Sequence, residues 1–442
     1  MHQTKQQNTN KTLSYLKSAI EFRFDSEYGD ALPIPPKALE IDDSHLSKLI
    51  ATHDLSETET IILLIALVPH IAPNFFNSII SQYLPHGGEI PEFGGVKAKN
   101  HRGILPTGET VQFILAGNDM EQRNALRGLF NEDHVFAKEG ILYLGDVPKG
   151  EPTMSGRLIL EEEFVQLFTT GKILKPKMSR DFPAQRIETD MEWNDLILNE
   201  KTIEQIKEIE TWLQYNDILL NDWNMKSRIK PGYRVMFHGP PGTGKTLTAN
   251  LLGKYTKRDV YRIDLSLVVS KYIGETEKNL SKLFDKAKSK DWILFFDEAD
   301  AIFGKRTNVR DAHDKYANQE VSYLLQRIEA HPGLVILASN FKSNIDTAFT
   351  RRFQSMIEFE LPTSPERLAL WKNNLPRTIR VEKSMDLDEL AKKYEITGAN
   401  IVNVIQYACL RTISEKSKCI LEVHILEGIK KEYQKEGKSL YL

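Results

Sequence analysis

The segment that most constrains the fold is a glycine-rich motif between a predicted strand and a predicted helix. Residues 239–246 read Gly-Pro-Pro-Gly-Thr-Gly-Lys-Thr and fit the pattern G-x-x-x-x-G-K-[ST]. A β-branched and aromatic run, residues 233–238, precedes the motif, and a helix-permissive run, residues 247–252, follows it. Glycines let backbone N–H groups turn towards phosphate oxygens, and the start of a helix adds its positive dipole end. The motif therefore predicts a phosphate-binding loop at the edge of an α/β sheet.

Two side chains of this motif would take part directly in binding a nucleotide. The ammonium group of Lys245 is expected to reach the β- and γ-phosphates, and the hydroxyl of Thr246 is expected to bind Mg²⁺. A glycine-rich turn that fits the pattern by chance is the alternative for the motif taken alone. With that alternative open, the motif predicts ATP and Mg²⁺ as ligands.

Two carboxylates follow a buried strand further along the chain. Residues 293–296 are four consecutive apolar residues, as in a strand covered on both faces, and Asp297 and Glu298 come directly after them. Ligands of open α/β sheets bind at the carboxyl ends of strands. Asp297 suits the shell of Mg²⁺, usually through water, and Glu298 can polarise an attacking water as a general base. A solvated loop carboxylate is the alternative for Glu298.

A polar side chain also follows a third predicted strand. Asn340 comes two residues after the apolar run 334–338, where its amide would orient the lytic water or touch the γ-phosphate; an ordinary turn asparagine is the alternative. Strands and helices alternate here, which is typical of a parallel α/β sheet. The predicted strands are residues 233–238, 260–264, 292–296, 334–338 and 355–359, and the predicted helices follow Thr246 and lie near residues 276–289 and 315–330.

The chain before this sheet has a different pattern. Residues 1–29 are polar and charged and are interpreted as a loosely held tail or a short docking helix. Over residues 38–170, short helices, one opening on a capping box at residues 56–59, precede two short strand candidates at residues 135–136 and 141–144, the outline of a winged helix. No run of Lys or Arg marks a DNA-recognition helix, so the pattern favours docking to a protein partner over nucleic acid.

Charge and cysteine content limit the classes of protein to which the chain can belong. The formal net charge of −3 gives no basic field that would attract nucleic acid. The two cysteines, Cys409 and Cys419, cannot form a disulfide framework and suit a reducing cytoplasm. Residues 1–10 carry no apolar core of a secretory signal, and the longest apolar run, residues 61–68, is far below the roughly 18 residues that span a membrane. The sequence predicts a cytoplasmic protein without a membrane partner.

Seven motifs stand in the order found in the AAA family of ATPases, which the chain resembles from about residue 191 to residue 436. They are residues 193–196, 239–246, 270–277, 297–300, 338–340, 345–353 and 397–401. The resemblance implies a P-loop NTPase of the α/β class, a parallel sheet with a helical lid, preceded here by the smaller, mainly α, winged-helix-like domain. The expected boundaries are a tail over 1–37, the winged-helix-like domain over 38–170, a linker over 171–190, the large α/β domain over 191–365 and the lid over 366–442.

The resemblance also implies roles for individual residues. Nucleotide contacts are implied for Ile197, Leu198, Pro241, Gly242, Thr243, Gly244, Lys245, Thr246, Leu247, Gly398 and Ala399. Thr246 and Asp297 would hold the metal, and the catalytic set would be Glu298, Lys245, Asn340, Arg351 and Arg352. The two arginines stand where the family keeps those that reach the γ-phosphate of a neighbouring subunit. The family often separates these two residues, whereas here they are adjacent, and Arg352 is favoured as the one that reaches across.

An assembly and a substrate follow from the same resemblance. Family members are usually hexamers, so the chain is expected to associate with itself. Tyr272 and Ile273 would belong to a central pore loop whose aromatic ring grips an extended polypeptide, and packing of Tyr272 against its own helix is the alternative. The implied substrate is a protein that is remodelled, unfolded or disassembled by cycles of ATP hydrolysis.

A narrower resemblance concerns the whole chain. A winged-helix-like front domain followed by a single ATPase module with residues 348–353 is similar to bacterial ATPases found with contractile, phage-tail-like injection systems. The alternative function is a nucleotide-switched, DNA-associated factor that acts through the winged-helix-like domain. Scattered rather than striped basic residues in that domain argue against this alternative.

Overall fold

A computed structural model describes residues 2–29, 33–37, 39, 42–84, 86, 88, 90–172, 175–179, 182–265, 275–300, 322–340 and 351–437. The chain divides into two compact units, Met1–Lys175 and Pro176–Leu442. Short 3₁₀ turns lie at Pro91–Phe93, Gly128–Phe130, Thr153–Ser155, Trp193–Asp195 and Met225–Ser227, and Ile218–Asp222 forms a π-helical turn.

The first unit contains helices and one small antiparallel hairpin. The helices are α1 (His2–Tyr28), α2 (His45–Thr52), α3 (Glu57–Ile71), α4 (Phe75–Tyr83), α5 (Gly108–Ala116), α6 (Met120–Arg127), α7 (Val135–Lys138) and α8 (Glu162–Thr170). The hairpin pairs β1 (Leu142–Leu144) with β2 (Leu158–Leu160). Its core forms around α3, which opens on the predicted capping box, with Ser56 accepting from Glu59 N–H, and whose residues 60–69 are all buried.

Of the two interpretations of residues 1–29, the loosely held tail is wrong and the helix is present, because α1 packs into the core of this unit. Leu16, Ile20 and Phe24 are fully buried along one face of the helix. The ring of Phe24 stacks on Tyr83 at 4.6 Å between centroids, and Arg23 donates to the backbone oxygens of residues 114 and 115. The few apolar residues of this segment thus stand at helical spacing, and the polar residues between them cover the outer face.

The strand expected at residues 135–136 is also wrong. Both residues belong to α7, and the ring of His134 caps this helix by accepting the backbone N–H of Phe136 at Nδ1, 3.2 Å away. The strand expected at residues 141–144 is present as β1. Among the described helices, no single one is long and apolar enough to cross a membrane; α3 and α4, bent by 105° at the break, pass that test only as a pair.

The second unit is built on a six-stranded sheet with the order β3-β5-β6-β7-β4-β8. All neighbouring pairs are parallel except β3 with β5. This confirms the α/β class with a mostly parallel sheet. The strands are β3 (Ala184–Ile187), β4 (Tyr233–His238), β5 (Val260–Ile263), β6 (Ile293–Phe296), β7 (Leu334–Ser339) and β8 (Ser355–Glu358).

Helices cover both faces of this sheet, which explains the continuous apolar runs of its central strands. Side chains alternate along a strand, so Val235 and Phe237 face one core while Met236 faces the other. The helices α9 (Glu200–Asp217) and α10 (Lys245–Thr256) contribute to the first core. The second core contains α11 (Glu275–Lys290) and α12, which is helical over residues 322–330.

The linker expected over residues 171–190 contains a strand of the sheet. Residues 184–187 form β3, which pairs antiparallel with β5 at the sheet edge, and Arg186 Nε donates to Asp259 Oδ1 over 2.8 Å. Four residues with one apolar residue at each end give too weak a pattern to predict a strand. Pairing with β5 supplies the hydrogen bonds that define it.

The C-terminal part of this unit is mainly helical. Its helices are α13 (Ser364–Asn374), α14 (Leu387–Lys393), α15 (Gly398–Ser414) and α16 (Glu422–Lys435), packed around the fully buried Trp371. The expectation that this segment is all-helical is wrong at two places, since β9 (Arg380–Val381) and β10 (Cys419–Ile420) pair in parallel. Strands of two residues carry no periodic pattern.

Candidate functional site

The loop after β4 has a backbone that its glycines make possible. Gly239, Gly242 and Gly244 have φ values of +140°, +77° and +103°, a region that side chains with a Cβ rarely adopt. A Cβ at Gly239 would stand 2.1 Å from the carbonyl oxygen of Phe359. α10 begins at Lys245, directly after this turn, so the N–H groups of its first turn have no partner within the helix. The loop and the helix start form a concave donor surface that suits phosphate oxygens.

The Lys245 side chain is buried beneath this loop. Its Nζ donates to the carbonyl oxygens of Gly239 and Pro240 over 2.6 and 2.8 Å, and to Oδ1 of Asn340 over 3.2 Å. Burial lowers the pKa of the Lys245 ammonium, and the carboxylates of Asp297 and Asp300 act in the opposite direction. The ammonium group is therefore held between the loop and the end of β7, close to two carboxylates.

The carboxyl ends of β6 and β7 bring Asp297, Glu298 and Asn340 to the same edge of the sheet. Glu298 has a left-handed backbone with φ of +51°, and its N–H donates to Asp297 Oδ1 over 3.1 Å. The N–H of Ala299 then returns to the carbonyl oxygen of Ala338 at 2.8 Å, which ties this turn to β7. The strained turn exposes the Glu298 side chain while Asp297 is half-buried.

Asp300 helps to hold this turn in place. Its Oδ1 accepts a hydrogen bond from the hydroxyl of Ser339 over 3.0 Å, beside Asn340. The sequence pattern singled out Asp297 and Glu298 as site residues and left Asp300 without a role. A hydrogen bond from the neighbouring strand gives Asp300 a structural role.

The lid meets the phosphate loop through backbone contacts. The N–H of Ala399 donates to the carbonyl oxygen of Gly242 at 3.2 Å. A Cβ at Gly242 would stand 2.7 Å from Thr397 Oγ1 and 2.8 Å from the Cβ of Ala399. Thr397 caps α15 by accepting the N–H of Asn400 at its side chain. Small residues on both sides thus allow the loop and the lid to approach closely.

One cavity of about 470 Å³ joins these elements. Its lining contains all the sequence-predicted nucleotide and metal residues and the predicted catalytic residues other than the two arginines: Ile197, Leu198, Pro241, Gly242, Thr243, Gly244, Lys245, Thr246, Leu247, Asp297, Glu298, Asn340, Gly398 and Ala399. The volume suits a nucleotide-sized ligand. The Thr246 hydroxyl and the Asp297 carboxylate are hard oxygen donors, so the residues present fit Mg²⁺.

The cavity also has lining residues that the sequence patterns did not predict. They include Leu196, Asn199, Thr202, Glu360, Glu366, Leu370, Asn374 and Val402. Leu370 and Val402 lie on the lid helices α13 and α15 and add apolar wall to the cavity. Leu370 and Val402 belong to no motif, and only the packing of the lid brings them to the site.

Arg351 and Arg352 lie elsewhere. Neither lines the cavity around Lys245; both line a second cleft of about 350 Å³. They precede β8, and in the parallel pair with β4, Ser355 stands opposite Val235 and Glu358 opposite His238. The arginines therefore lie at the amino end of the strands, beyond Ser355, whose partner Val235 is itself about 13 Å of strand from Gly239. The other predicted residues, Tyr272 and Ile273, lie outside the described residues.

Comparison with known proteins finds a family that matches part of the second unit. The family described as "ATPase family associated with various cellular activities (AAA)" matches residues 235–361. This segment runs from β4 through β8 and includes the phosphate loop, both carboxylates, Asn340 and the two arginines.

Curated relatives share this part of the chain. A putative cell division cycle ATPase of Plasmodium falciparum is 32% identical over 254 residues, 56% of this chain and 20% of that protein. A proteasome-activating nucleotidase of Archaeoglobus fulgidus is 33% identical over 47% of this chain and 54% of its own length. Cell division protein C of Sulfolobus acidocaldarius is 32% identical over 41% of this chain and 50% of its own. The matched part thus spans about half or less of each relative.

Proposed function

Since this chain carries an AAA ATPase domain, we propose that it hydrolyses ATP, with Mg²⁺, in the cavity between the sheet and the lid. The observation that carries the proposal is the convergence of three neighbouring strands, β6, β7 and β4, on one cavity. Their carboxyl ends supply two carboxylates, one amide and the phosphate loop. Together these groups can hold a triphosphate, hold its metal and activate water, which are three of the parts that hydrolysis needs.

The roles of the residues follow from their positions. The loop N–H groups and Lys245 bind the phosphates, and Thr246 and Asp297 hold Mg²⁺, which neutralises charge on the phosphate oxygens when bound. Glu298 accepts a proton from the attacking water, whose oxygen forms a bond to the γ-phosphorus as the bond to the β-phosphate oxygen breaks. Asn340, whose Oδ1 accepts a hydrogen bond from Lys245 in the structure, orients that water. Leu370 and Val402 cover the nucleobase of the bound ATP.

The test of the catalytic assignment is Glu298→Gln. This change keeps the shape of the side chain and removes its basicity, so we expect turnover to fall about 10²–10⁴-fold while ATP binding is retained. Exposed Glu204 on α9, which lies outside the cavity lining, gives a matched control in Glu204→Gln. Steady-state phosphate release and equilibrium binding of ATP would be measured for both variants. Normal turnover in Glu298→Gln would refute the assignment of Glu298 as the base.

We also propose that the active form is a ring of identical subunits, most simply a hexamer. The support is the location of Arg351 and Arg352 at the sheet edge opposite the phosphate loop. An arginine there cannot reach the nucleotide of its own subunit, but it can act on one bound by a neighbour. An arginine supplied in this way accelerates phosphoryl transfer about 10³–10⁵-fold.

The proposed substrate is a protein chain, and the proposed place is the cytoplasm. Names such as proteasome-activating nucleotidase among the relatives support action on proteins. Tyr272 and Ile273 are proposed to contact the substrate, and the first unit is proposed to dock a protein partner through its winged-helix-like part. The α7 helix followed by the β1–β2 hairpin supports that part of the proposal. Both cysteines are free, as expected in a reducing compartment.

A role beside a contractile injection system remains the narrower proposal, and its support is the order of domains in the sequence. A pull-down with the Glu298→Gln variant and ATP would test it, with the structural proteins of such a system as the named prey. Enrichment of these proteins would support the role. Retention of duplex DNA instead would favour the DNA-associated alternative.

A further inference from the structure

The cleft that holds Arg351 and Arg352 has an unbalanced charge. Among its described lining residues, Lys230, Arg234, Arg351 and Arg352 are cationic, and Glu329 is the one carboxylate. Glu329 lies near the end of α12, just before the chain enters β7. Its side chain is therefore well placed to influence the orientation of the surrounding guanidinium groups.

The backbone of Glu329 is fixed by a buried arginine. Arg234 is 3% exposed and donates from Nη1 to the carbonyl oxygens of Glu329 and Pro231 over 2.9 and 3.0 Å. The backbone N–H of Arg234 donates to Oε1 of Gln354 over 2.8 Å. This network ties the end of α12, the start of β4 and the segment before β8 into one platform. Glu329 and Arg352 therefore project from backbones that are held relative to each other.

The Glu329 carboxylate forms an ion pair with Nη1 of Arg352. The two side chains are 31% and 44% exposed, so this pair adds little to the stability of the fold. Its effect on orientation is larger, because an unpaired arginine side chain samples many rotamers. A guanidinium group has five N–H donors, and pairing with one carboxylate leaves donors for a phosphate.

We infer that Glu329 is a positioning residue for Arg352, holding its guanidinium group in the orientation from which it donates to a phosphate bound by an adjacent copy of this chain. The inference rests on the proposed function, because it requires Arg352 to act on a neighbour. In this arrangement Glu329 belongs to the subunit that supplies the arginine, so its removal slows hydrolysis in the neighbouring subunit and leaves its own nucleotide cavity intact.

The first experiment compares steady-state kinetics of Glu329→Ala and Glu329→Gln with the unsubstituted protein. We expect kcat to fall about tenfold in Glu329→Ala, with the KM for ATP unchanged, because orientation of a catalytic group is lost and nucleotide contacts are not. Glu329→Gln keeps a hydrogen-bond acceptor and should lose less. Asp291→Asn is the matched control, since it weakens the partly exposed pair of Arg258 with Asp291, neither of which lines either cleft. Unchanged or raised kcat in Glu329→Ala would overturn the inference.

The second experiment decides whether Glu329 acts on its own subunit or on the neighbour. Glu329→Ala subunits keep an intact Glu298, and Glu298→Gln subunits keep an intact Arg352 and Glu329. Mixing equal amounts should raise turnover roughly fivefold above the sum of the separate proteins, since random assembly creates complete sites between unlike subunits. No rise would mean that Glu329 acts within its own subunit, which contradicts the inference.

The same mixing with Arg352→Ala in place of Glu329→Ala separates the two proposals. If Arg352→Ala complements Glu298→Gln while Glu329→Ala does not, the ring mechanism stands and the inference about Glu329 is wrong. If neither mixture gains activity, the proposed action of Arg352 between subunits is itself wrong. Should Glu329→Ala fail to assemble, as checked by mass in solution, the isosteric Glu329→Gln variant takes its place in both experiments.

Discussion

At the scale of single residues, the site depends on backbone conformations that most residues avoid. Gly242 at φ +77° and Glu298 at φ +51° are both left-handed, one in the phosphate loop and one in the turn after β6. Glycine adopts this region freely, whereas for Glu298 it costs about 1–2 kcal/mol. The turn tolerates this cost because Ala299 is bonded to β7. The strained backbone thus presents the carboxylate that we propose as the general base.

Gly242→Ala should separate the lid from the phosphate loop. The added Cβ meets Thr397 and Ala399 at 2.7 and 2.8 Å, so we expect ATP affinity to fall about tenfold, equivalent to ~1.4 kcal/mol. Gly437→Ala is the matched control, since Gly437 has φ +73° with no heavy atom within 4 Å of the added Cβ. Both variants carry similar backbone strain. Equal ATP affinity in the two variants, measured by calorimetry, would disprove the contact argument.

His331 should make the stability of the second unit depend on pH. Its ring is 3% exposed, and no described group bonds to Nε2. Burial, followed by the charges of Arg327, Arg234 and Lys288, lowers the pKa of His331 to about 4 from 6.5. The unfolded chain therefore takes up a proton between these pH values while the folded chain does not. Stability contributed by neutral His331 is present above the unfolded pKa and is lost as the pH falls.

For this single group we expect the free energy of unfolding to fall by about 2 kcal/mol between pH 7 and pH 5. His331→Leu removes the titration, and any packing loss is the same at both pH values. Chemical denaturation of the unsubstituted protein and of His331→Leu at pH 7 and pH 5 would give the difference. An identical pH dependence in the two proteins would show that His331 is not the group responsible.

At the scale of elements, apolar patterns in the sequence correctly predicted the strands of the sheet, whose two faces are covered by helices. The five strands of the parallel part of the sheet were predicted within about one residue, because each is a short run rich in apolar, aromatic or β-branched residues. The sequence did not predict β3, and it did not predict that α1 belongs to the core, for two different reasons. β3 is defined by its pairing with β5, and α1 carries its few apolar residues among many polar ones.

Phe24→Ala should show that α1 is part of the core. The Phe24 ring is fully buried and contacts Tyr83, Phe93 and Phe113, so its loss should destabilise the first unit by about 3–5 kcal/mol. Ser26→Ala, on the exposed side of the same helix, should change stability by less than about 0.5 kcal/mol. Hydrogen exchange of α3 in the full chain would report both effects. Unchanged protection in Phe24→Ala would return α1 to the status of a loose tail.

At the scale of the whole molecule, the sheet separates two functions at its two ends. The carboxyl ends of the strands face the cavity of Lys245, and the amino ends hold Arg351 and Arg352 in the second cleft. Under the proposed ring mechanism, a subunit built in this way lacks one group of its own site and carries that group for another copy. Association is therefore expected to govern turnover.

Mixing Arg352→Ala with Glu298→Gln should restore activity that neither variant has alone. Each variant lacks one half of the site, and random assembly of equal amounts completes roughly a quarter of the sites. Phosphate release by the mixture should therefore approach a quarter of the unsubstituted rate, and mass measurements with ATP should show assembled species. Inactive mixtures of well-assembled subunits would exclude the proposed action across the interface.

The sequence by itself determined the phosphate loop, the two carboxylates and the positions of the central strands along the chain. These features follow from local chemistry, since glycines, a lysine and strand-ending carboxylates act within a few residues of backbone. Only the tertiary structure decided that Leu370 and Val402 line the cavity and that Glu329 pairs with Arg352. It also decided that α1 belongs to the core of the first unit and β3 to the sheet of the second. Each of these depends on contacts between segments far apart in the chain, which no local pattern encodes.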